Sequence, residues 1–89
     1  MALKTEIIKK ILVERERQIN RFGAEMDSEN SPGDWISLVI HYASEEVKRN
    51  GVSPSSSEFE NSLIKAAAII IAAIEHIDIM KTRNQLRDE

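Results

Sequence analysis

The sequence predicts an all-α protein: a three-helix unit in one domain, residues 1–89, associating with copies of itself into an oligomeric helical bundle. Two observations carry that prediction. Turn-forming residues gather in two clusters, GAEMDSENSPG at 23–33 and NGVSPSSS at 50–57, and apolar residues on either side recur at every third or fourth position. The second observation is a run of nine residues, Ala66 to Ile74, without a polar side chain. A helix built from it is apolar on every side and needs cover on every side. At 89 residues the chain suffices for one small core and is too short for two.

Helix one places Leu3, Ile7, Ile8, Ile11, Leu12, Ile19 and Phe22 on one face and is expected to stop at Gly23, a residue suited to the left-handed C′ position. Helix two starts from Ser31-Pro32-Gly33-Asp34. Ser31 caps, Pro32 fits the first turn, Asp34 complements the N-terminal dipole, and the helix is expected to run to Asn50-Gly51. Helix three begins near Ser55 to Ser57, with Glu58 placed to complete a capping box, and continues to about Arg83, roughly 40 Å in all. Two partner helices from one short chain do not cover helix three completely. A homo-oligomer is therefore expected, a dimer being the simplest closed form and a tetramer the next, with Ile69, Ala72 and Ala73 pointing away from the intrachain stripe to form the interface; the alternative is a compact monomer whose loops cover the extra face.

The 12 basic and 15 acidic residues include no cluster of Lys and Arg of the kind that displaces counterions from a duplex, so nucleic acid is not an expected partner. There is no cysteine, which excludes disulfides, thiolate zinc sites and a cysteine nucleophile. The start MALKTEIIKK is charged from its fourth residue and lacks the apolar stretch of a signal peptide. The apolar run between Lys65 and Glu75 falls well short of the roughly 20 residues a membrane span needs. A cytoplasmic protein without a membrane partner is the expectation.

The polar residues on the helices pose the functional question. Glu46 falls inside the apolar stripe of helix two, below Val39 and Tyr42, with Glu45 at its edge; on helix three Asp78 follows Ile71 and Ile74, with Glu75 beside it. Facing carboxylates on two helices are how bundles hold divalent ions. An antiparallel hairpin about a loop near Ser53, however, sets Glu46 opposite about position 60, which leaves Asp78 roughly 27 Å away. Ion pairs are expected instead: Asp78 near Arg21, and Glu46 with Lys9 or Lys10. Arg15 interrupts the stripe of helix one and points to the core side, so an interior salt bridge or a side chain reaching out to the edge is expected ahead of a phosphate-binding role. His41, four residues before Glu45, has the spacing of an oriented general base, but no nucleophile is evident near it. Ser53 to Ser57 read as loop and cap residues, and His76 as a solvated residue favoured by a helix C-terminus.

The run ERERQINRFG at 14–23, then SPGDW ending at Trp35, then LIKAAAIIIAAIEHID at 63–78, resembles the small phage- and prophage-type members of the MazG-like, all-α nucleoside triphosphate pyrophosphohydrolase superfamily. The resemblance covers most of the chain. It implies a helical bundle that oligomerises and cleaves the α–β bond of nucleotides by Mg²⁺-assisted attack of water. It also implies acidic metal ligands in a Glu-Glu-x-x-Glu-like pattern on helix two and a Glu-x-x-Asp-like pattern on helix three. Carried across from Trp35, the first acidic pair falls on His41 and Tyr42, the small residue before the next glutamate on Ser44, and that glutamate on Glu45. On helix three the acidic positions fall on Ser62 and Lys65.

Only Glu45 keeps its carboxylate. Mg²⁺ requires a shell of hard oxygens, and one carboxylate beside an ammonium does not supply it. Lys65 is placed to pair with Glu45 in the ion's stead. The expectation is a degenerate MazG-like protein without catalytic residues or cofactor, retained as an oligomeric interaction module with a nucleotide or a protein as partner. The alternative is a Mg²⁺-dependent pyrophosphohydrolase whose catalytic residues are Glu45, Glu46 and Glu60, with Glu58 completing an acidic metal cluster at the end of the hairpin. Like charges held close recruit a cation or raise one another's pKa, and Glu46 opposite Glu60 is the pair of interest.

Overall fold

The computed structural model describes residues 3–22, 29–47 and 52–87, with Phe22 described by its backbone alone. Among these residues there are four helices and no strand: α1 Lys4–Phe22, α2 Pro32–Ser44, α3 Ser56–Glu75 and α4 Ile77–Thr82. No helix among them is long and apolar enough to cross a membrane. Gly23, expected to stop the first helix, and Asn50 and Gly51, expected to end the second, lie outside the described residues.

Both expected N-terminal signals form. At α2 the Asp34 amide donates to Ser31 Oγ at 3.1 Å and the Ser31 amide donates to Asp34 Oδ2 at 2.9 Å, a reciprocal capping box. Ser55 and Glu58 repeat it at α3, at 3.1 and 2.9 Å. Each box satisfies one amide that the first helical turn leaves without a partner.

Two boundaries differ from the sequence reading. The second helix ends at Ser44, and Glu45 to Val47 form a turn. The Ser44 hydroxyl donates back to the Ile40 carbonyl at 2.7 Å, a local bond that competes with regular helix, and the Glu45 amide reaches the Tyr42 carbonyl at 3.5 Å in the tighter three-residue pattern. The third helix is broken at His76 (φ −104°, ψ 10°), where the ring Nδ1 bonds the Ala72 carbonyl at 2.7 Å and the ring stacks at a tilt on Trp35, centroids 5.5 Å apart. His76 is thus half-buried at a break, not solvated at a helix end. Beyond α4, Asn84 adopts a left-handed φ of 60°, and the bonds Gln85 N–H to Met80 O (2.8 Å) and Asn84 N–H to Lys81 O (3.0 Å) complete a Schellman motif.

The core gathers where α2 crosses α3 and α4. Trp35, 2% exposed, packs with Ile69, Ala72 and Met80, and Leu38, Val39, Tyr42, Ala73 and Leu86 pack around them. α3 is the central helix and touches both α1 and α2.

The apolar run of α3 is covered on only part of its circumference. Ala66, Ala68, Ile69 and Ala72 are buried, while Ile70 is 44% and Ile74 62% exposed. Ile69 and Ala72 lie inside the core against Trp35 and Met80, and Ala73 packs at its edge, because α2 occupies that side of α3. The uncovered side carries Leu63, Ile70 and Ile74.

Candidate functional site

A polar seam runs along α1 where it meets α3, and its best-ordered part centres on Glu14. One helical turn brings Arg17 and Gln18 back to the Glu14 side chain, as i,i+3 and i,i+4 neighbours must be. Arg17 Nε and Nη2 donate to the two carboxylate oxygens at 2.9 and 2.6 Å, a bidentate fork. Gln18 Nε2 donates to Glu14 Oε2 at 3.1 Å and to the Lys65 carbonyl of α3 at 3.4 Å, tying the two helices together. Gln18 is buried, and its Oε1 finds no acceptor role among the described residues.

The Arg17 hydrogen bond holds the Glu14 carboxyl below the usual carboxylate range; burial pushes the other way, and the Arg17 charge, the Gln18 bond and the Lys65 charge add to the lowering. Glu14 reciprocally raises Arg17, and Tyr42 of α2 lies within electrostatic reach of that guanidinium. This carboxylate is ionised and occupied by donors. Its three bonds to Arg17 and Gln18 make it an anchor between neighbouring turns of α1.

The positions implied by the resemblance are distributed around this seam. Ser62 is buried and Lys65 half-buried on α3, and Tyr42 is half-buried against the core. His41 is exposed, its ring meeting Tyr42 edge-on at 5.1 Å, and its Nε2 lies 4.0 Å from Glu45 Oε2. Lys65 lies within electrostatic reach of Glu14, and Glu45, its expected partner, stands beside His41. A lysine on α3 within reach of a glutamate on α1 is visible only when the two helices are packed.

The alternative acidic cluster is not brought together. Glu58 Oε1 is engaged in the α3 capping box, and Glu60 is held by Lys10 Nζ at 3.4 Å. Among the described residues no three histidine, aspartate or glutamate side chains form a group able to hold a metal ion. Lys10, one of the two lysines expected beside Glu46, is bonded to Glu60, and Asp78 lies exposed on α4. The expected interior partner of Arg15 is found: its Nε donates to Glu75 Oε1 at 2.9 Å, the guanidinium being buried and the glutamate half-exposed. An open groove of about 490 Å³ between α1 and α3 is lined by Lys9, Lys10, Val13, Glu14, Glu60 and Ile64, among others. Of its charges, Lys10 is paired with Glu60 and Glu14 with Arg17, and both signs occur along its length.

The sequence reading missed the Glu14, Arg17 and Gln18 unit. Its signal was present in the i,i+3 and i,i+4 spacing within ERERQ. No family model, curated protein or solved structure matches this chain.

Proposed function

We propose that this chain is a degenerate MazG-like protein, a non-catalytic module that acts by assembling with copies of itself and presenting the assembly to a protein or nucleotide partner. The observation that carries the reading is the mismatch between a small core and a large exposed apolar surface. Trp35 is the one large side chain fully buried among the described residues, and three of the six buried apolar residues are alanines. Leu63, Ile70 and Ile74 on α3 and Ile36 and Ile40 on α2 stand 44–62% exposed. A chain of this size rarely closes a self-sufficient core, and association with a copy is the usual remedy.

The absence of catalysis is supported by the chemistry of the substituted positions. A serine, a lysine, a histidine and a tyrosine stand where relatives of the resembled family carry metal-binding carboxylates, and Glu14, Glu60 and Glu58 are engaged by Arg17, Lys10 and a helix cap. Light scattering should give the mass of a dimer or a tetramer. Thermal unfolding should be indifferent to Mg²⁺ with a nucleoside triphosphate panel. A ligand at about 100 times its Kd would stabilise the fold by roughly 2.7 kcal/mol and raise Tm by 10 °C or more, at about 4–8 °C per kcal/mol. Such a rise, with release of pyrophosphate, would establish instead the Mg²⁺-dependent pyrophosphohydrolase.

A further inference from the structure

Six of the exposed large apolar side chains, with two half-buried alanines, fall on two matched stripes. On α2 and the turn after it, Ile36, Ile40, Ala43 and Val47 follow the spacing i, i+4, i+7, i+11. On α3, Leu63, Ala67, Ile70 and Ile74 follow the same spacing. Ile36 and Ile74 line one shallow apolar groove. The start of α2 therefore lies beside the end of α3, and the short connection between the helices makes them antiparallel. The stripes then run side by side with Ile40 level with Ile70 and Ala43 level with Ala67.

No charged residue occupies any of these positions, and the large exposed side chains present on the order of 600 Å² of apolar surface. A stable interface buries about 800 Å² on each partner, so one face supplies most of what a dimer needs. The size pattern selects the occupant. Reversed end for end, the face sets an isoleucine level against an alanine level, the alternation of large and small that packed layers require.

Resting on the self-association proposed above, we infer that this α2/α3 face is the dimer interface and that its partner is the same face of a second copy. The two-fold axis runs across the hairpin, so that α3 packs antiparallel on the partner's α3 and α2 on the partner's α2, in a four-helix arrangement. Ile70 of each copy then fills the notch over Ala67 of the other, and Ile40 the notch over Ala43. A closed isologous contact of this kind needs no other chain. The absence of charge offers nothing to steer an acidic or basic partner to this face.

The test is mass by light scattering on the full chain and a set of variants, with helix content followed by circular dichroism. Wild type is expected to be dimeric, Ile70→Glu monomeric, and Leu12→Glu, on the exposed side of α1, dimeric. Ala67→Leu should weaken the dimer at least tenfold, and the size exchange Ala67→Leu with Ile70→Ala should restore it. A monomeric wild type overturns the self-association reading itself. A dimeric wild type whose Ile70→Glu variant stays dimeric, or whose dimer is lost through Leu12→Glu instead, overturns this face alone. If Ile70→Glu fails to fold, the size exchange decides: failure of the double variant to recover the dimer overturns the antiparallel register.

Discussion

Replacing Trp35 tests the core at its centre. The side chain is 2% exposed and touches α3 through Ile69 and Ala72 and α4 through Met80. Burying an indole removes about 200 Å² of apolar surface from water, worth about 5 kcal/mol at roughly 25 cal/mol per Å². Measured truncations of large core residues to alanine cost about 3–5 kcal/mol. Stability for 89 residues, at about 0.05–0.15 kcal/mol per residue, is about 4–13 kcal/mol. Trp35→Ala should therefore lower Tm by about 20 °C or leave the chain unfolded at the temperature of growth.

Trp35→Phe should behave differently. It gives up part of the ring, but it also removes an indole N–H that is buried and finds no acceptor among the described residues. An unsatisfied donor costs about 1–3 kcal/mol, which offsets most of the lost contact, so the variant should lie within about 1 kcal/mol of wild type. Urea denaturation followed by far-UV circular dichroism, at one fixed protein concentration, measures both variants. Equal destabilisation by phenylalanine and alanine would mean that the indole N–H is bonded and that its polar edge holds the core. A loss of less than about 1 kcal/mol for alanine would remove Trp35 from the centre of the fold.

The pH dependence should follow Glu14. Its folded-state pKa lies below the unfolded value, so its contribution is present above the unfolded value and is lost as pH falls through the folded one. Tm should decline as pH falls below about 5, and Glu14→Gln should flatten that decline while lowering Tm at neutral pH. Glu75→Ala withdraws a partner from the buried Arg15 guanidinium; because Glu75 is half-exposed the cost should be about 1–2 kcal/mol, read by urea denaturation, well under the cost of breaking a fully buried pair. Ser55→Ala opens the capping box that starts α3 and should cost about 1 kcal/mol, with Ser55→Asp close to wild type in the same assay.

Much of the fold was legible because local chemistry decides it. Ser31 with Asp34, and Ser55 with Glu58, are spaced so that side chain and backbone amide meet within one helical turn whatever surrounds them. Arg15 fell at a core-facing position of an amphipathic helix, and the need for an interior partner followed from its charge alone. The end of α2 and the break at His76 were not legible. They depend on the Ser44 hydroxyl choosing the Ile40 carbonyl and on an imidazole lying against Trp35, a residue far away in the chain.

The candidate site divides in the same way. That His41, Tyr42, Ser62 and Lys65 carry no carboxylate is a matter of residue identity and needs no coordinates. Which charge lies within reach of Lys65, and that Lys10 holds Glu60, depends on how α1 lies on α3. The outward face of α3 belongs to the same class. Periodicity established that the segment from Ala66 to Ile74 has no polar side.

An apolar helix without a polar side carries no mark of which face its own chain will take. Composition and spacing by themselves determined the all-α class and the caps, because each depends on residues within a turn of one another. Tertiary structure alone decided that α2 covers Ile69 and Ala72 and leaves Leu63, Ile70 and Ile74 outside. That choice rests on where Trp35 finds its pocket, a contact between residues more than 30 positions apart that no local pattern encodes.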